Sequence, residues 1–374
     1  MRAAVIGTGL IGGSIGLAAR ERVGATVSGW SRTRGTLERA LELGAISRAG
    51  DSLADVVRDA EAVFVCAPVG VLPEVVREVL AAAPQDCVVT DAGSTKRSVV
   101  EAIADPRFVG GHPLAGAETA GVEHARADLF QDATWYLTPT PGATGVLFER
   151  LHRLIRDLGA RPATIDAATH DTMLAAVSHL PHVFANVLVA QAASALKPTA
   201  GTATDGEPVG GSASGTPVER LPATGPSFRD ATRVAGANSA IWTDIYLANR
   251  DALIEQMDDA IARLQEVRAA LTAADPDAVT TWNDAALEDR RRLLEAQLAG
   301  GPLHELRVSV PNEPGVVATL ALELARAGVN ITDMALYPTP DNSEGVVALW
   351  IAGDEPATRA ESLVAERGYP VARA

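Results

Sequence analysis

The chain reads as an α/β protein: a doubly wound parallel sheet at the N-terminus, an all-helical middle and a small β-α-β-β-α-β unit at the C-terminus. Three observations point there. Short apolar strand patterns alternate with helical periods over residues 1–165; helical period alone continues from Asp166 to about Leu298; period-two alternation returns from Leu303 to Ala374, after the linker Gly300-Gly301-Pro302. At 374 residues the chain is too long for one core and suits two or three domains, and the patterns divide it into 1–165, 166–298 and 303–374. Its 47 acidic and 32 basic residues leave a net charge of −15, which repels nucleic acid and anionic membranes. Cys66 and Cys87 both sit in apolar runs, so no disulfide framework or C-x-x-C metal site is expected. The chain begins on a strand pattern without a signal peptide, and no apolar run approaches the roughly 20 residues that span a bilayer. A cytoplasmic protein with no membrane partner is expected.

The first strand, Arg2 to Ile6, runs into G-T-G-L-I-G-G-S and then a helical pattern. Gly7 permits the tight turn, Gly9 lets backbone approach a pyrophosphate, and Gly12 lets the helix pack on the strand, while Leu10 and Ile11 occupy the first helical turn that faces the phosphates. A second strand at Ala25 to Trp30 completes a Rossmann-like dinucleotide unit, so the cofactor is NAD or NADP. That strand ends G-W-S-R-T-R, where an NAD site usually has an acidic residue for the ribose. Ser31, Arg32 and Arg34 stand there instead and favour a 2′-phosphate, so NADP is expected to serve at least as well as NAD. Ala67 and Pro68, at the end of the strand Ala62 to Ala67, border the same crevice.

Further strands are read at Cys87 to Asp91, Phe108 to Gly111 and Thr134 to Leu137, and a last one through A-R-P-A-T-I-D, with Asp166 capping a long helix. The stretch Asp91 to Glu118 holds the chemistry: D-A-G-S-T-K, then G-G-H-P-L-A-G-A-E. Ligands in open α/β sheets sit beyond the carboxyl ends of strands. Asp91, Ser94, Lys96, His112 and Glu118 are therefore expected to converge on one crevice, with Asp91, Ser94 and Lys96 toward the cofactor. A neutral imidazole beside a hydroxyl can take a proton from an alcohol as hydride leaves the same carbon.

His170, His179 and His182 invite a metal reading. At about 100° per residue, however, His170 falls roughly opposite His179, while His179 and His182 share a face, and Pro181 kinks the helix. No metal site is expected. Lys197 to Pro226 is dominated by Gly, Ala, Ser, Thr and Pro and reads as a flexible loop. The C-terminal unit is read as strand Leu303–Val310, helix through Ala327, strand after G-V-N-I-T-D-M-A, strand Val346–Ile351 and helix Ala357–Arg367.

Together, G-x-G-L-I-G-G-S, D-x-G-S-x-K, G-x-H-P-x-A-G-x-E, H-D-x-x-x-A-x-x-S-H-L-P-H and F-R-D-x-T-R resemble prephenate dehydrogenase and its close relative arogenate dehydrogenase, over roughly residues 1–298. P-N-E-P-G-V-V followed by G-V-N-I resembles an ACT domain, a ferredoxin-like unit that binds amino acids as regulators. The resemblance implies NAD(P)-dependent oxidative decarboxylation of prephenate to 4-hydroxyphenylpyruvate in tyrosine biosynthesis by a homodimer. Arogenate is the alternative substrate, and a catalytically inactive dinucleotide sensor the alternative class. His112 is implied as the base and Ser94 as its assistant, Glu118 as a gating carboxylate, and His179 and His182 as neighbours of the substrate side chain. Arg233 suits the ring carboxylate because a guanidinium binds carboxylates through two parallel bonds; Trp242 either lines the pocket or packs in the core. Tyrosine is the effector that the resemblance suggests, at the turn holding Gly328 and Asn330.

Overall fold

The computed structural model describes residues 1–116, 119–195, 225–298, 302–339 and 344–373. Eight strands form the large sheet: β1 (Arg2–Ile6), β2 (Thr26–Trp30), β3 (Arg48–Ala49), β4 (Ala62–Val65), β5 (Val88–Asp91), β6 (Phe108–Pro113), β7 (Thr134–Pro139) and β8 (Arg161–Thr164). Their order is β3-β2-β1-β4-β5-β6-β7-β8. The sheet is parallel up to β6; β7 pairs antiparallel with β6 and carries β8 beside it. Among the described residues no long crossover helix joins β6 to β7, and the chain returns in the opposite sense. The two-residue strand β3 escapes a reading by apolar period because both of its residues are exposed.

Alternation along the strands feeds two cores. Ala3 and Val5 of β1 face one layer, Ala4 and Ile6 the other. Strand order reverses at β1, whose neighbours are β2 and β4, and this switch point opens the cofactor crevice between Gly7 and Cys66.

The helix Ala167–Leu174 continues through a π turn, Ala175–His179, into Leu180–Ala195. Pro181 has no N–H to give the carbonyl four residues back, and its ring crowds that group; a wider turn relieves both. This continuous 29-residue helix is apolar enough to cross a membrane by length and composition, contrary to the expectation that no run approaches that length. It carries buried His170, Asp171 and His179, and it is the axis of the site described below. Much of its far end, and of the helices Arg250–Thr272 and Pro276–Leu298, leaves apolar side chains open to solvent, among them Val187, Ile261, Leu264 and Trp282. Of the stretch read as a flexible loop, residues 197–224 lie outside the described residues. Pro226 does not belong to it, since it opens the helix Pro226–Thr232 at a position where the missing N–H costs nothing.

The C-terminal unit has strands β9 (Leu303–Pro311), β10 (Ile331–Pro338), β11 (Glu344–Ala352) and β12 (Val371–Arg373) in the order β10-β11-β9-β12, with helices Val316–Arg326 and Asp354–Glu366. It does not stand apart as the Gly-Gly-Pro linker suggests. Phe148, Leu151 and Ile155 of the helix Gly145–Asp157 share one continuous core with Leu306, Val308, Val317, Leu320 and Leu349. Gly315, at φ +89°, donates its N–H to Ala143 O at 3.2 Å, and a Cβ there would lie 1.9 Å from Pro141 O. Buried His152 donates from Nε2 to Ile331 O at 3.3 Å; burial pushes its pKa down to about 4 and keeps it neutral. Arg156 pairs with Asp333. The full chain is therefore expected to melt in one calorimetric transition, and deletion of residues 303–373 to abolish cooperative melting by opening this shared core. A truncated chain that still melts cooperatively and binds dinucleotide would refute the shared core.

Candidate active site

The glycine turn fits a dinucleotide by what it excludes and what it leaves open. Gly7 has φ +93°, and a Cβ would sit 2.3 Å from Cys66 O; a Cβ on Gly12 would sit 2.0 Å from Gly7 O. At Gly9 a Cβ would meet nothing within 4 Å, so the crevice side of the turn is open. No side chain caps the helix Leu10–Val23. The N–H groups of its first turn, Leu10 and Ile11 included, remain for an anion. Half-buried Ala67 and exposed Pro68 follow β4 across the crevice. Ser31 and Arg32 follow β2, half-buried and exposed respectively, whereas Arg34 turns to Glu38 at 3.1 Å.

Asp91 and Lys96 correct an expectation. Both are fully buried, so neither has surface to offer a cofactor. Their side chains pair with each other. Asp91 also accepts from Gly93 N at 2.8 Å and Gly111 N at 3.0 Å, and Lys96 donates to Gly111 O at 2.8 Å. The pair thus ties the end of β5 to β6 and fixes the loop of half-buried Ser94 beside the strand of His112. Burial lowers the Lys96 pKa, with Asp91 opposing the shift. Gly110 and Gly111 are needed where these strands crowd: a Cβ on Gly111 would lie 2.6 Å from Asp91 O.

His112 lies near the end of β6 and is 8% exposed. Its Nδ1 is 2.9 Å from Nε2 of His170, whose own Nδ1 is 2.8 Å from Asp171 Oδ1. Asp171 further accepts from the backbone N–H of Lys96 at 2.7 Å and of Arg97 at 2.9 Å. Burial works to raise the Asp171 pKa, but these hydrogen bonds prevail and it falls below the usual value. Burial first, then the neighbouring His170, Lys96 and His179, drives the His112 pKa well below 6.5. The His112 imidazole is neutral at neutral pH.

The π turn overturns the expected separation of His170 and His179. A π turn holds more residues than an α turn, so the phase slips. Both rings then meet one cluster: Asn249 Nδ2 donates to Asp171 O at 2.7 Å and lies 3.1 Å from His179 Nδ1. His179 is 1% exposed, which removes it from the substrate surface; burial lowers its pKa to about 4, and its ring backs Trp242 edge-on. Trp242 stacks on His182 with centroids 3.6 Å apart. His182, Trp242 and Arg233 line an open cleft of about 730 Å³, walled on the other side by Gly116, Thr119 and Ala120 of the loop after His112. His112 itself does not line this cleft. Burial lowers the His182 pKa, so this imidazole is neutral as well. Glu118 lies outside the described residues. The sequence raises His170 only as a possible metal ligand and marks Asp171 only within the H-D motif, and Asn249 carries no motif.

Three family models match in order: the prephenate dehydrogenase nucleotide-binding domain at residues 15–164, the prephenate dehydrogenase dimerization domain at 213–283 and the ACT domain at 304–356. Prephenate dehydrogenase of Bacillus subtilis (strain 168) is 30% identical over 96% of this chain and 95% of its own. The chain belongs to the prephenate dehydrogenase family. It is an NAD(P)-dependent oxidoreductase. Cyclohexadienyl dehydrogenase of Zymomonas mobilis is 33% identical over 81% of this chain and 97% of its own. In structure, Aquifex aeolicus prephenate dehydrogenase, solved with hydroxyphenyl propionate and NAD+, matches with a TM-score of 0.69 at 24% identity, over 78% of this chain and 98% of that one. Synechocystis arogenate dehydrogenase matches with a TM-score of 0.63 at 25% identity, over 78% and 100%.

Removing one partner of a fully buried ion pair strands the other. Lys96→Met is expected to cost about 3–5 kcal/mol, read from denaturant unfolding, while leaving dinucleotide affinity nearly unchanged in the protein that remains folded.

Proposed function

We propose that this chain catalyses the NAD(P)-dependent oxidative decarboxylation of prephenate to 4-hydroxyphenylpyruvate, with His112 as the base. What carries the reading is a neutral, buried histidine with one ring nitrogen committed to His170 and the other left for substrate, beside a cleft furnished with Arg233. The oxidised nicotinamide, when bound, accepts the hydride. His112 takes up the proton of the ring hydroxyl, Ser94 orients that hydroxyl, and Arg233 holds the ring carboxylate that departs as carbon dioxide. Aromatisation of the ring drives the step forward. Because the carboxylate's charge disperses in the transition state, Arg233 serves binding more than chemistry. The cleft offers the Arg233 guanidinium, which suits the ring carboxylate that prephenate and arogenate share. Exposed Arg32 supports the use of NADP beside NAD.

The matched dimerization domain and the open apolar faces of its helices support a homodimer, and we place the enzyme in the cytoplasm. For the ACT domain, a cavity offers an effector site besides the turn at Gly328 and Asn330. It lies some 20 Å along β10, where Val310, Asn312, Glu313, Leu336 and Tyr337 face the start of the helix Gly145–Asp157 around about 170 Å³. Tyrosine is the effector we assign to it.

Reduction of NAD and NADP, followed with prephenate and with arogenate, tests the reaction: turnover with prephenate is expected, and arogenate alone serving would reassign the substrate. His112→Asn is expected to lower turnover by about 10²- to 10⁴-fold. Arg233→Ala should raise KM far more than it lowers kcat, and the reverse split would count against its role. The depressed His112 pKa keeps the base form present on acidification, so kcat should not fall as pH drops through 6.5 and should decline only well below it. Filling the ACT cavity with Leu336→Trp should abolish inhibition by tyrosine while basal turnover persists; inhibition that survives unchanged would move the effector elsewhere.

A further inference from the structure

From the geometry around His112 we infer that His170 and Asp171 are positioning residues that fix which nitrogen of His112 carries hydrogen, presenting its unprotonated Nε2 to the substrate. The inference rests on the proposed role of His112 as base.

The assignment follows by elimination along a chain of three groups. Asp171 is ionised, and a carboxylate can only accept. It lies 2.8 Å from His170 Nδ1, so that nitrogen carries the hydrogen. His170 is fully buried and its pKa is lowered, chiefly by burial, so it is neutral and its Nε2 bears a lone pair. At 2.9 Å from that lone pair, His112 Nδ1 must be the donor. The remaining nitrogen of His112, Nε2, is then free of hydrogen and can take a proton. Were the tautomer reversed, Nε2–H would face the substrate hydroxyl, and two lone pairs would oppose each other between His112 Nδ1 and His170 Nε2. When His112 Nε2 gains the proton from the ring hydroxyl, the cation that forms donates Nδ1–H to His170, and the polarised His170 leans on Asp171. No other atom need move.

The groups that face His112 are consistent with this. His170 and Asp171 come from the helix Ala167–Leu174, Lys96 and Asp91 from the β5 loop, and His179 from the π turn. Lys96 is committed to Asp91 and the Gly111 carbonyl, and His179 Nδ1 to Asn249. His170 alone of these has a lone pair within reach of His112 Nδ1. Asp171 is also anchored twice by backbone N–H groups, so it cannot swing away from His170. Tyr136 packs edge-on against His170 with centroids 5.6 Å apart and holds the ring plane. Orienting a base through a second hydrogen bond is known to matter greatly where the wrong tautomer results, with losses near 10⁴-fold.

The test uses the full-length enzyme labelled with ¹⁵N at histidine, the His112 signals being identified by their loss in His112→Asn. Ring-nitrogen shifts of the unsubstituted protein at neutral pH are expected to show His112 as the Nδ1–H tautomer. His170→Leu removes the acceptor but not the bulk, and is expected to mix the His112 tautomers and lower kcat about 10²-fold or more with little change in KM. His170→Gln, whose amide can accept from His112 and donate to Asp171, should recover at least tenfold of that loss. Asp171 is a poorer target, since its substitution also uncaps Lys96 and Arg97. An Nε2–H tautomer in the unsubstituted enzyme would overturn the relay, as would equal impairment of the Leu and Gln variants, which would mark a packing role only. An Nδ1–H tautomer together with undiminished turnover in His170→Leu would instead sink the base assignment on which the relay rests.

Discussion

The buried pair of Asp91 and Lys96 is the constraint on which the site depends. Two charges without solvent are costly to assemble, and their attraction alone seldom repays the loss of water. Here further bonds offset that cost: Asp91 collects two backbone N–H groups, and Lys96 reaches a backbone carbonyl. What the pair secures is position. It holds the ends of two neighbouring strands in fixed register, and those ends carry Ser94 and His112, the pair proposed to act on substrate. The glycines of β6 are the corollary, because only backbone without side chains lets strand and loop approach so closely.

From that fixed edge, constraint passes outward through Asp171. One carboxylate receives the first N–H groups of the helix Arg97–Ala102 and the ring of His170, and its own carbonyl accepts from Asn249 of the helical region. The sheet and the helical region are therefore joined by polar contacts beside His112. The wide turn at Ala175–His179 belongs to the same arrangement. A proline that would damage an ordinary helix instead rephases it and brings His179 round to the cluster.

Much of this could be read in the residues alone, and the parts that could not share a physical reason. Strands of β1, β4 and β5 announce themselves because their side chains are buried on both faces; β3, with two exposed residues, carries no such mark. Gly7, Gly9 and Gly12 were legible because each answers a backbone need. Lys96 was misread because a lysine beside a serine at a strand end looks like a ligand group, and nothing local reveals that Asp91 and Gly111 will enclose it. His170 was judged on an ideal helix, and a single π turn made that geometry wrong. The role of Gly315 was hidden for a similar reason: its neighbour, Pro141, is distant in sequence and adjacent in space.

That last contact joins the two ends of the chain. The core beneath one face of the large sheet includes Ala3 and Val5 near one terminus and Val364 near the other. During synthesis, at about 5–20 residues per second, the nucleotide-binding half leaves the ribosome many seconds before the strands that cover its helix Gly145–Asp157 exist. Its apolar face must wait, exposed, for the C-terminal strands to arrive. The core shared by helix Gly145–Asp157 and the C-terminal unit can close only once residues 303–373 are made.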